Sequence, residues 1–161
     1  MALACDFHTE TQCLEDFAKW IIKDTAVNKA MKIINIAGDY VTAGQTFTKL
    51  QHQAKIDEIF TALEGITTPV LFCQGNHDGE WENSYNPAYI AQIPTDAEIR
   101  RWVYDRAYNR LTTTDKANFH FPNDNPTALY YYFDMPAYKV RHITLNEYEF
   151  PTVLRADGSI S

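Results

Sequence analysis

The sequence predicts an α/β domain that opens as a parallel β-α-β-α-β unit and continues into a helix and a β-hairpin. Two observations carry that class. Up to Asp78, short apolar runs closed by Gly or Asp alternate with longer stretches of helical periodicity. From Leu129 onward, two runs rich in aromatic and β-branched residues flank a five-residue connection. A length of 161 residues fits a single domain. Residues 1–80 make its β-α-β-α-β part, 81–127 a loop and helix insertion, and 128–161 the hairpin and tail.

Ala2 to Cys5 reads as the first strand. Thr9-Glu10-Thr11-Gln12 has the capping-box pattern, with Thr9 as N-cap and Gln12 reaching back. Behind it Leu14, Phe17, Ala18, Ile21 and Ile22 share one face, which predicts a helix over Thr11–Asp24. Lys32 to Ala37 is a largely apolar run, as a strand of a buried parallel sheet would be. Thr48 to Glu64 predicts the second helix, with Ile56, Ile59, Phe60 and Leu63 inward, His52 facing solvent, and Gly65 as the stop. Pro69 to Gln74 predicts the third strand, and right-handed crossovers make all three parallel. Thr95 to Glu98 is a second capping box, followed at helical spacing by Ile99, Trp102, Val103, Ala107 and Leu111. Residues 79–94 and 112–127 read as irregular. Leu129–Asp134 and Val140–Leu145 then predict a hairpin, joined by Met135 to Lys139.

Composition narrows the function classes. Apolar residues make up 45% and charged residues 22%, an ordinary globular balance. No apolar run is long enough to span a membrane. A net charge of −7 does not indicate nucleic acid as a partner, because phosphate contacts draw on Lys and Arg. The same acidity fits a chain that holds metal ions. Cys5, Cys13 and Cys73 cannot all pair and form no C-x-x-C, so a reducing, cytoplasmic setting is expected.

Each of the first three predicted strands ends in polar residues: Asp6-Phe7-His8, Gly38-Asp39, and Gly75-Asn76-His77-Asp78. In an open α/β sheet the carboxyl edge is where ligands bind. Alone, each string is unremarkable, since Gly, Asn and Asp favour turns. Together, and each just after an apolar strand, they offer carboxylates, imidazoles and an amide oxygen at one edge. Such donors suit Mn, Fe or Zn. Asp6 and His8 are alternate residues and point the same way on an extended segment. Asp39 has two oxygens and can bridge two ions, and Asn76 adds a neutral oxygen. His77 is placed to protonate a leaving alkoxide, and Asp78 to orient that imidazole.

These three motifs resemble the first three motifs of the calcineurin-like metallophosphoesterases. The stretch Tyr130 to Glu147 resembles the central strands that follow the Asn-His motif in that family. The resemblance implies a four-layer α/β/β/α sandwich and a dinuclear centre. It implies Asp6, His8 and Asp39 as metal ligands of one ion, Asp39 and Asn76 as ligands of the other, and His77 as the acid. Two later motifs of the family, a lone His and a Gly-His-x-His, have no counterpart here. The second ion would then have only Asp39 and Asn76, so one ion or none is expected to bind well. The same gap leads us to expect a domain incomplete at its C-terminus, with an uncovered sheet face that leaves self-association open.

The predicted function is metal-dependent hydrolysis of phosphate mono- or diesters. The alternative is an inactive or truncated binding or structural module of a larger assembly, such as a phage-type particle or a multidomain protein. Trp81, Tyr85 and Tyr89 offer either a substrate rim or local packing. Arg100, Arg101, Arg106 and Arg110 read as a solvated helix face, or more remotely as a phosphate-steering patch. His120 reads as surface or packing, and His142 as structural.

Overall fold

Short β-rich runs pair where their backbone polar groups have no other partner. In the computed structural model, β1 (Ala2–Ala4), β2 (Ile34–Ala37) and β3 (Val70–Cys73) form a parallel sheet in sequence order. Ile36 stands opposite both Ala4 and Phe72. The structure describes residues 1–4, 11–28, 31–39, 41, 48–75, 77–78 and 92–146.

Between the strands run α1 (Thr11–Asn28) and α2 (Lys49–Ala62), which pack on each other. The first helix extends a turn past the predicted Asp24, since Thr25 to Asn28 holds neither Gly nor Pro to stop it. Leu14, Ala18 and Ile21 are buried on it as expected, whereas Ile22 lies on the exposed side. The predicted Thr9 cap lies outside the described residues. The second helix starts at a complete capping box between Thr48 and Gln51. Its chain ends in a turn at Gly65, where φ is +85°.

The Thr95 capping box also forms, with Glu98 as its partner. It opens a rod made of α3 (Asp96–Ile99), a π-helical stretch (Arg100–Tyr104) and α4 (Asp105–Asn109). The widened turn is closed by the Asp105 N–H donating to the Arg100 carbonyl. The four residues predicted to face inward on this rod, and Leu111 just past its end, are buried.

The polar stretch 112–127 departs from expectation. It contains α5 (Thr113–Ala117), capped by Thr112, and a two-residue strand β4 (Phe119–His120). Phe119 is buried and stacks on Tyr131 at 4.4 Å, and Phe121 packs beside both, so two aromatic residues among polar ones tie the segment to the core. β4 pairs antiparallel with β5 (Tyr131–Met135), which pairs with β6 (Val140–Thr144). The predicted five-residue connection is a 3-10 turn over Pro136–Tyr138, closed by Lys139 in the left-handed region.

The layers meet through named contacts. Phe60 of α2 stacks on Phe72 of β3 at 5.4 Å. Tyr104 of the rod meets Tyr131 edge-on at 5.9 Å. The Tyr131 hydroxyl donates to the Phe72 carbonyl at 2.8 Å, which fastens the antiparallel sheet to the parallel one. No helix among the described residues is long and apolar enough to cross a membrane.

The arginines of the rod do not form a solvated face. Arg100 pairs with Asp105, donates to the Ala128 carbonyl at 2.7 Å, and lies over the Phe121 ring. Arg106 pairs with Asp57 of α2 and covers Phe60. Arg110 donates to the carbonyls of Leu63 and Ile66. Only Arg101 of the four is left on the exposed side without such a tie among the described residues.

His52 corrects the reading of α2. It is 1% exposed, and neither ring nitrogen has a hydrogen-bond partner among the described residues. It lies one turn before Ile56, on the same inward stripe, and Trp102 of the rod covers it at 6.2 Å between ring centres. Burial pulls its pKa down to about 4, so it sits there neutral.

Candidate functional site

The strands β2 and β3 lie side by side, so the turns after them leave the sheet at the same edge. Gly38 (φ +83°) and Asp39 (φ +49°) are both left-handed. Asp tolerates that region better than most residues, and Gly without penalty. The turn thereby drops directly against the chain at Gly75. A Cβ on Gly38 would stand 2.9 Å from the Gly75 α-carbon, so the two backbones meet with no room for a side chain.

Two carboxylates cross between the turns in opposite directions. Asp39, after β2, accepts from the backbone N–H of His77 at 3.0 Å. Asp78, after β3, accepts from the backbone N–H of Val41 at 2.8 Å through Oδ1, and from that of Gly75 at 2.8 Å through Oδ2. Asp78 is fully buried. Burial raises its pKa well above the usual carboxylate range, partly opposed by the Gly75 and Val41 amides; the Asp39 charge raises it further.

Of the six predicted site residues, Asp39, His77 and Asp78 are thus brought together at one sheet edge. Asp6, His8 and Asn76 lie outside the described residues. Asn76 is bracketed in sequence by Gly75 and His77, both of which lie against Asp39. Among the described residues, no three His, Cys, Asp or Glu side chains gather as a metal-binding group. His52 stands in the α2–rod contact, and His120 stacks on Tyr132 at 4.5 Å. His142 is half-buried beside Thr144, with its pKa lowered by burial.

Sequence reading missed two parts of this edge. The Val41 N–H is a backbone group, and no side-chain pattern marks it. Asn146, just past β6, donates to the Gln74 side chain at 3.2 Å, and the Cys73 thiol donates to the Leu145 carbonyl at 3.4 Å. The end of the antiparallel sheet therefore meets the end of β3, a contact of chain segments more than seventy residues apart that no local spacing could show.

A comparison with curated proteins and one with solved structures each found no match. A family model described as calcineurin-like phosphoesterase matches residues 3–156. That match spans the parallel sheet, the crossed turns at its edge and the hairpin alike, and the chain belongs to the calcineurin-like phosphoesterases.

Proposed function

We propose that this chain hydrolyses phosphate mono- or diesters with the help of divalent metal ions held at the carboxyl edge of its parallel sheet. The observation that supports this most is the seating of Asp39. Its carboxylate rests against Gly75, where no side chain intervenes, with one oxygen steadied by the His77 N–H. A carboxylate fixed at a sheet edge is a donor of the kind Mn, Fe or Zn accept. Among the described residues Asp39 supplies a carboxylate suited to such ions, and the sequence offers Asp6, His8 and Asn76 as further donors of that class. Asp39 would serve both ions, Asp6 and His8 the first, and Asn76 the second.

When bound, such ions supply an activated water and neutralise charge on the phosphoryl group. The chain's own residues do the rest. Asp39, held by the His77 amide, fixes where the phosphoryl group can sit. The His77 imidazole holds a proton for the departing alkoxide oxygen. The bond from the His77 backbone to Asp39 Oδ1 supports this pairing, because it ties the proposed ligand to the residue that carries the acid.

The test is Mn²⁺ titration by calorimetry alongside turnover of bis-p-nitrophenyl phosphate. The wild-type chain is expected to bind Mn²⁺ and turn the ester over only with metal. Asp39→Asn should lose both binding and turnover. His77→Gln should keep Mn²⁺ and lose turnover by about 10²–10⁴-fold, the usual contribution of a general acid. Turnover that survives Asp39→Asn, or that needs no metal, would refute the proposal.

A further inference from the structure

We infer that Asp78 is a positioning residue, which locks the turn after β2 to the turn after β3 through their backbone amides and so sets the spacing of Asp39 and His77. The inference rests on the metal-site reading above for its functional consequence, and on the hydrogen bonds for its structural content.

A fully buried carboxylate is a costly choice for stability alone. An apolar residue of similar volume would fill the space without desolvating a charge. What the carboxylate provides is two acceptors on a rigid stem. Its oxygens are divided between the turns, one for the Val41 N–H and one for the Gly75 N–H, each at 2.8 Å. Asp39 returns the tie by accepting from His77 at 3.0 Å. The turns are thus cross-braced in both directions, around the close approach of Gly38 to Gly75. A role exerted through the His77 imidazole would need no bond to Val41, which lies on the other turn.

Asp78→Asn separates the two roles. The amide offers one acceptor oxygen, and its NH₂ would oppose an N–H. Asp78→Glu keeps both acceptors. Three readouts apply: amide hydrogen exchange at Val41 and Gly75, Mn²⁺ affinity by calorimetry, and the pH profile of bis-p-nitrophenyl phosphate turnover. Asp78→Asn should speed exchange at one or both amides by about tenfold or more and weaken Mn²⁺ binding by a similar factor, as loss of one buried hydrogen bond implies. The pH profile of residual turnover should keep its wild-type limbs. Asp78→Glu should recover part of both the protection and the affinity, and it carries the test if the Asn variant does not fold.

Unchanged exchange at Val41 and Gly75 in Asp78→Asn would overturn the inference. A shifted acid or base limb with unchanged Mn²⁺ affinity would overturn it too, and would assign Asp78 to the imidazole. If the wild-type chain binds no Mn²⁺ and shows no turnover, the metal-site reading fails instead. Hydrogen exchange then decides the brace alone.

Discussion

The α-carbon of Gly75 lies so close beneath Asp39 that a Cβ built on it would stand 2.2 Å from Oδ1 and 2.4 Å from the backbone nitrogen of Asp39. Gly75→Ala must therefore move the carboxylate, the turn that carries it, or both. Backbone atoms give way less easily than a side-chain end, so the β2 turn is expected to shift. The expected outcome is a loss of Mn²⁺ affinity and ester turnover by about 100-fold, comparable to misplacing a reacting group by about 1 Å. Calorimetry and steady-state kinetics on the alanine variant check it, and wild-type values for both would contradict it.

His52 gives the fold an acid limit. Its pKa is about 4 in the folded chain against 6.5 when free, so the unfolded chain takes up the proton first. Stability is full above the unfolded value and declines as pH falls from 6.5 toward 4. The total loss is roughly 3–4 kcal/mol at about 1.4 kcal/mol per unit of pKa. Urea unfolding between pH 7.5 and 4 should show this slope in the wild type and a flatter one in His52→Leu. Parallel slopes would remove His52 as the cause.

Tyr131→Phe deletes the one hydroxyl bond from the antiparallel sheet to the Phe72 carbonyl. The ring stays buried against Tyr104 and Phe119, so the loss is that of the hydroxyl's bonds to the Phe72 carbonyl and the Thr144 side chain, about 1–3 kcal/mol with the carbonyl left unsatisfied. Thermal unfolding measures it. An unchanged melting temperature would mean that the hydroxyl adds nothing to the ring packing and the Asn146 and Cys73 contacts that also join the sheets.

The two capping boxes should be of similar worth. Thr48→Ala and Thr95→Ala each remove a side-chain acceptor for an orphan N–H at the first turn. Each is expected to cost about 1 kcal/mol. Denaturant midpoints of the two variants test this, and serine at either position should restore most of the loss.

Local chemistry was readable in the sequence. The Thr95 cap, the stop at Gly65, the three strands and the hairpin connection follow from neighbours a few residues apart. The turns after β2 and β3 were readable for the same reason, because Gly and Asp announce a left-handed turn. The rest depends on what folds against what. By sequence, His52 falls on the exposed face of its helix; it stands instead on the stripe of Ile56, where Trp102 covers it. Phe119 was hidden in a polar segment, and its partner Tyr131 is distant in sequence. The arginines at 100, 106 and 110 looked like a charged face, and their partners are two carboxylates, aromatic rings and main-chain carbonyls, some on other elements. Asp78 stood in a recognisable string, yet nothing in that string pointed to Val41.

Those inward-turned guanidinium groups shape how a substrate would arrive. With 14 basic against 21 acidic residues, the chain carries a charge of −7, and three of its cations are already occupied within the fold. The anionic ester proposed as substrate would then diffuse in against the far field of the chain rather than be drawn by it. Counter-ions shorten that field to about 8 Å at physiological ionic strength. Capture of the ester should accordingly quicken as salt is added, the opposite of what a basic docking face would give.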